Sequence, residues 1–149
     1  MVDADLNIGA SATVTVGSGT LAVGGDVVND GVMRFTGNGQ LLSTGNFVNN
    51  GVLDLLTGSA ALPPTFENNG VVIDRRGLDL AAFARTGNNF SLSLRTYAGH
   101  SYQMQSSGAL DAGWGNIGTA VAGDGTLKTF TDGSGAGTGR RYYRVVVTP

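Results

Sequence analysis

The sequence predicts an all-β protein, a short parallel β-solenoid followed by a small antiparallel β-sandwich. Three observations predict it. An Asx-Gly motif recurs in the first half at a period near 20 residues, the length of one coil of a β-solenoid. Glycine supplies 25 of 149 residues with only 3 prolines, which gives many turns without a collagen period. Short alternating apolar segments separated by glycine-rich turns fill the second half.

The repeat is carried by three markers in one register. Asn29-Asp30-Gly31-Val32, Asn49-Asn50-Gly51-Val52 and Asn68-Asn69-Gly70-Val71 place their glycines 20 and then 19 residues apart. Gly17-Ser18-Gly19 matches Gly37-Asn38-Gly39, and Gly25-Asp26-Val27 matches Gly45-Asn46-Phe47, each 20 apart. The alignment stacks Val27, Phe47 and Phe66 as one apolar column. Two residues on, with the same side-chain parity, it stacks Asn29, Asn49 and Asn68. Buried asparagine is costly unless its amide is paired, and a ladder of amides bonding to one another and to the turn backbone meets that need. Asp30, Asn50 and Asn69 precede glycine, the turn chemistry that tolerates positive φ. Leu21, Leu41 and Leu62 form a further column, and Val14/Val16, Met33/Phe35 and Leu53/Leu55 follow the corners. Pro63-Pro64 interrupts the third coil at a bulged corner, and Val71-Val72-Ile73 starts a fourth. The expected domains are a solenoid over 1–77, a bridge over 78–89 that extends the solenoid or caps it with a short helix, and a sandwich over 90–149. The sandwich strands are expected at 90–94, 102–105, 114–121, 127–130 and 142–147.

Composition narrows the function. Charged residues are 13% and the net charge is −2, against a dedicated nucleic-acid binder. No apolar run approaches the roughly 18 residues of a membrane helix, so no membrane insertion is expected. With no cysteine there is no thiolate metal site, and no cofactor is expected. Residues 1–74 carry seven acids and one base, and residues 75–149 carry four acids and eight bases. Opposite charge on the two halves favours head-to-tail attraction between copies.

Tyr102-Gln103-Met104-Gln105-Ser106-Ser107, then Leu110, Trp114, Phe130-Thr131-Asp132 and Arg141-Tyr142-Tyr143-Arg144-Val145, form a second pattern. It resembles the fibronectin-like β-sandwich module that closes many secreted and cell-surface proteins of Verrucomicrobia and related bacteria. The first half resembles the passenger repeats of autotransporter-type surface proteins. Gly108-Ala109-Leu110 departs from the module, which usually carries Asp before that leucine. The resemblance implies export to the bacterial surface and a structural or adhesive role, with no catalytic residue.

Candidate chemistry is sparse. His100, the only histidine, sits in a turn and is read as a packing or surface residue. Asp3, Asp5 and Asp79 match no calcium loop, and Asp132 to Gly139 lacks the context of a phosphate loop. Asp54 and Glu67 are weighed as a carboxylate pair on one solenoid face, on coils too few for a polysaccharide hydrolase. Trp114, Tyr102, Tyr142 and Tyr143 are read as core or as a ligand-stacking platform. The expected function is a structural extracellular protein, not an enzyme, that self-assembles head to tail into a filament or surface layer. Val14, Val16, Arg140 and Arg141 are the expected assembly contacts. The alternative is an adhesin or carbohydrate-binding module with a glycan as partner.

Overall fold

The computed structural model describes residues 4–78, 80–111, 113–133 and 139–149. Among these residues it is all-β apart from one 3-10 turn, Arg75–Gly77, and the chain divides into two compact units, Met1–Gly77 and Leu78–Pro149.

The first unit is a parallel β-solenoid. Its first coil is β1 (Leu6–Ile8), β2 (Thr13–Val16) and β3 (Gly19–Val23). The second is β4 (Val27–Asn29), β5 (Val32–Phe35) and β6 (Asn38–Ser43), and the third is β7 (Phe47–Asn49), β8 (Val52–Asp54) and β9 (Ser59–Ala61). Strands β10 (Phe66–Asn68) and β11 (Val71–Ile73) begin a fourth. Equivalent strands stack into three parallel sheets, ordered β1-β4-β7-β10, β2-β5-β8-β11 and β3-β6-β9. The register pairs Val27 with Phe47, Phe47 with Phe66, Leu21 with Leu41 and Val16 with Phe35. Inward residues of all three sheets meet in one core of Ile8, Val27, Met33, Phe35, Phe47 and Leu53 with their neighbours. The Phe47 and Phe66 rings lie 4.9 Å apart at 44°.

The glycine after each Asx corner is explained by packing, not by φ. Gly31, Gly51 and Gly70 do not have positive φ, contrary to the expected turn chemistry. A Cβ on Gly51 would lie 2.2 Å from the Gly31 carbonyl oxygen, and one on Gly70 the same distance from the Gly51 oxygen. Successive corners stack backbone on backbone, and only hydrogen fits between them.

In the second unit, β12 (Leu80–Thr86), β13 (Asn89–Arg95) and β17 (Leu127–Asp132) form one antiparallel sheet in the order β12-β13-β17. The other sheet is built on β14 (Ser101–Ser107). It pairs β18 (Tyr142–Thr148), and it also pairs the short strands β15 (Gly115–Asn116) and β16 (Val121–Ala122). Phe90 of the first sheet stacks on Tyr143 of the second at 4.1 Å, so the two sheets face each other as a sandwich. Tyr102, Met104, Leu92, Leu94 and Phe130 are buried in this unit.

Two expectations need correction here. Residues 78–89 neither extend the solenoid nor form a helical cap, because β12 pairs β13 as a hairpin. Its two-residue loop is Gly87-Asn88, and Gly87 has φ +60°, the left-handed conformation that tight hairpins require. The segment 114–121 is not one strand but β15 and β16, interrupted at Gly118 with φ +63°.

Candidate functional site

The solenoid corners carry three polar ladders. In the inner one, Asn29 Nδ2 donates to Asn49 Oδ1 at 2.6 Å and to the Val52 carbonyl at 3.0 Å. Asn49 Nδ2 donates to Asn68 Oδ1 at 2.7 Å and to the Val71 carbonyl at 3.4 Å. Asn29 and Asn49 are completely buried, while Asn68 is exposed and turns its amide to the Gly70 carbonyl at 3.2 Å. In the outer ladder Asn50 Nδ2 donates to Asp30 Oδ1 and Asn69 Nδ2 to Asn50 Oδ1. The two ladders run in opposite directions: the inner amides donate toward later coils and the outer ones toward earlier coils. In the third, Asp5 Oδ1 accepts the Asp26 N–H at 2.9 Å and Asp26 Oδ1 accepts the Asn46 N–H at 2.7 Å.

The inner ladder ends at the first coil. Ile8 stands where the later coils carry asparagine, and Asn29 Oδ1 is buried without a hydrogen-bond partner. The first corner also differs, since four residues lie between Ile8 and Thr13 where two lie between Asn29 and Val32. Ile8→Asn is expected to supply an amide within reach of Asn29 Oδ1 and the Val32 carbonyl. It should therefore cost at least about 2 kcal/mol less than Val27→Asn, whose amide has no such partner. Urea unfolding of the two variants measures the difference.

Asp5 is thus committed to a backbone amide, and Asp3 and Asp79 lie outside the described residues, as does 134–138 of the glycine-rich loop. Among the described residues no group of three His, Cys, Asp or Glu side chains is placed to hold a metal ion. Asp54 and Glu67 do not form a pair. Asp54 ends β8 and is buried, with Oδ2 2.8 Å from Arg34 Nε and Oδ1 accepting the Leu56 N–H. Glu67 lies on β10 in another of the three sheets, and its side is exposed. His100 is buried in the second unit.

The four sandwich aromatics do not form one platform. Tyr102 is fully buried, and its hydroxyl accepts the Tyr97 N–H at 2.8 Å, pinning the turn that precedes β14. Tyr143 stacks on Phe90 and donates to Asp132 Oδ2 at 3.1 Å. Tyr142, its neighbour along the strand, points to the opposite face, where Arg144 lies 4.3 Å over the Trp114 ring. Trp114 is half-buried, so it is a surface stack and not the core of the unit.

Of the expected assembly residues, Val14 and Val16 lie on β2, half-buried against the solenoid core. Arg140 is exposed. Arg141 is committed within its own chain, donating to Ser106 Oγ from Nε and Nη2 and lying 3.3 Å from Asp132. It locks β18 to β14 and β17, and is unsuited to a contact between copies.

The Asp124 carboxyl and the Tyr143 phenol are displaced from their ordinary values. The hydrogen bonds of Lys128 and Thr126 lower the Asp124 carboxyl to about 2. Burial, and next the hydrogen bond to Asp132, raise the Tyr143 phenol. The folded state therefore favours neutral Tyr143. That contribution is fully present below the unfolded phenol value of about 10 and is lost as pH rises through the raised folded value. Ultraviolet titration of Tyr143→Phe is expected to show one late-titrating tyrosine fewer than the wild type.

No family model, curated protein or solved structure matches this chain.

Proposed function

We propose that the chain is a structural protein of the bacterial cell surface that assembles head to tail through the solenoid. The observation that carries this reading is the state of the first coil. Strands β1, β2 and β3 each have a neighbour on one side only, so three parallel edges open together at one end among the described residues. Leu6, Val14, Val16 and Leu21 line that end and are half-buried. Natural proteins cap or pair such edges, because their backbone groups template another strand.

The charge pattern supports a directed contact. Residues 1–77 carry seven acids and three bases, and residues 78–149 four acids and six bases. Opposite charge guides encounter and orientation, while strand pairing and apolar burial set the final stability. The ordered polar groups of both units serve the fold, which fits a building block better than a catalyst. Export follows from the resemblance to secreted surface proteins.

Time-resolved light scattering tests the reading. Assembly is expected to slow as salt rises past the physiological range, where screening acts beyond about 8 Å. Finished polymers are expected to resist salt, because salt does not weaken apolar burial. Arg140→Glu should slow growth and leave the melting temperature unchanged. A stable monomer at high protein concentration across all salt conditions overturns the proposal. Glycan binding by that monomer, lost on Trp114→Ala, would favour the adhesive reading.

A further inference from the structure

We infer that the sandwich unit carries a second, two-fold contact, in which β12 of one copy pairs antiparallel with β12 of another. The starting point is an overhang. Leu80 lies opposite Leu94 and Phe83 opposite Leu92, so all four side chains share the core-facing side of their sheet. Leu92 and Leu94 are buried, yet Leu80 is 53% exposed and Phe83 73%. The facing sheet ends at β18 and leaves β12 uncovered. All seven residues of β12 are exposed, and its outer edge has no strand beside it among the described residues.

The overhang borders an apolar cleft of about 240 Å³ lined by Leu80, Leu92, Leu94, Tyr143, Val145 and Val147. Its volume is below the roughly 300–1,000 Å³ of ordinary small-molecule pockets, and it suits side chains. The open strand edge asks for another strand, which a small molecule cannot supply. A projecting aromatic therefore sits beside an apolar recess on one edge, the arrangement that makes a surface complementary to itself under two-fold symmetry.

The sequence of β12 fits that symmetry. Centred on Phe83, the antiparallel register sets Ala82 against Ala84, and beyond Ala82 the bulge between Leu80 and Ala82 shifts the pairing while keeping Leu80 on the Phe83 side. Arg85 is the only charge on the strand, and this register keeps the two copies of it apart. The two Phe83 rings meet across the axis on the core-facing side. Together with both Leu80 side chains they close the two clefts against β18 of each copy. The result is one continuous six-stranded sheet. A two-fold contact closes on itself and does not propagate. It is therefore distinct from the head-to-tail contact, and it would join two filaments side by side.

The test uses the full chain, which has no cysteine of its own. In Ala82→Cys with Ala84→Cys, position 82 of one copy faces position 84 of the other. Directly opposed strand residues are about 4.5–5.5 Å apart at Cα, within the range that a disulfide spans. Mild oxidation at low protein concentration is expected to give a covalent dimer. Leu42→Cys, an exposed control on the solenoid, should not. Phe83→Asp should raise the dimer dissociation constant at least about thirtyfold in sedimentation, the scale of losing an interface hot spot. Its melting temperature should not change, because the side chain is exposed. Salt-dependent head-to-tail growth should persist in Phe83→Asp, which separates the failure of this contact from the failure of filament assembly. A wild-type chain that sediments as a monomer, or a dimer unaffected by Phe83→Asp, overturns the inference.

Discussion

Gly51→Ala is expected to destabilise the solenoid by about 3 kcal/mol, the upper part of the usual range for overpacking. A Cβ at this position would lie 2.2 Å from the Gly31 oxygen, 2.7 Å from the Asp30 carbonyl carbon and 2.8 Å from the Asp30 oxygen. All three are backbone atoms, so no side-chain rotation relieves the clash. The corner has to move away from the coil beneath it. That movement stretches the hydrogen bonds from the Asn50 and Gly51 N–H groups to the Asn29 carbonyl, both 2.8 Å, and the Val52 N–H bond to the Gly31 carbonyl at 2.8 Å. Gly17→Ala is the matched control, since its Cβ meets nothing within 4 Å, and it should stay within about 0.5 kcal/mol of wild type. Thermal unfolding followed by circular dichroism compares the two. If Gly51→Ala melts with Gly17→Ala, the corners are not held in backbone contact.

The repeat was legible because each coil reuses the same chemistry at the same depth. Fixed 19- and 20-residue offsets gave the Asn29, Asn49 and Asn68 column and the Val27, Phe47 and Phe66 column in the observed register. The reason for glycine at the corner was not legible. Positive φ and close stacking select the same residue, and only coordinates separate them. The first coil resisted for a related reason: Ile8 is simply apolar in sequence, and its role as the end of an amide ladder depends on Asn29 beneath it.

The second unit was harder because nothing repeats. The hairpin of β12 and β13 carries a Gly-Asn loop between two strand-like runs, a signal that was present but masked by the helix-compatible spacing of Leu80 and Phe83. Placing Arg141 needed tertiary contacts, since Asp132 and Ser106 lie far from it in sequence and next to it in space. The aromatic group divided for the same reason. Tyr142 and Tyr143 are neighbours in sequence, and strand parity sends them to opposite faces.

Asn49→Leu is expected to cost about 2–4 kcal/mol, because it orphans groups on both sides of the ladder. Leucine is close in size, so the space stays filled and the loss is polar. Asn68 Oδ1 loses the amide that donates to it at 2.7 Å, and the Val71 carbonyl loses its longer contact. Asn29 Nδ2 loses its 2.6 Å acceptor and keeps only the Val52 carbonyl. Asn29 Oδ1 already lacks a partner, so the substitution would leave that buried amide with a single hydrogen bond. Asn68 is exposed, and water repairs part of its loss. The cost should therefore fall mainly on the Asn29 side. A double-mutant cycle reads this out: Asn29→Leu with Asn49→Leu should cost clearly less than the sum of the two single changes, because removing both partners leaves no orphan between them. Additive costs would mean that the two amides do not depend on each other, and the buried ladder would then be packing alone.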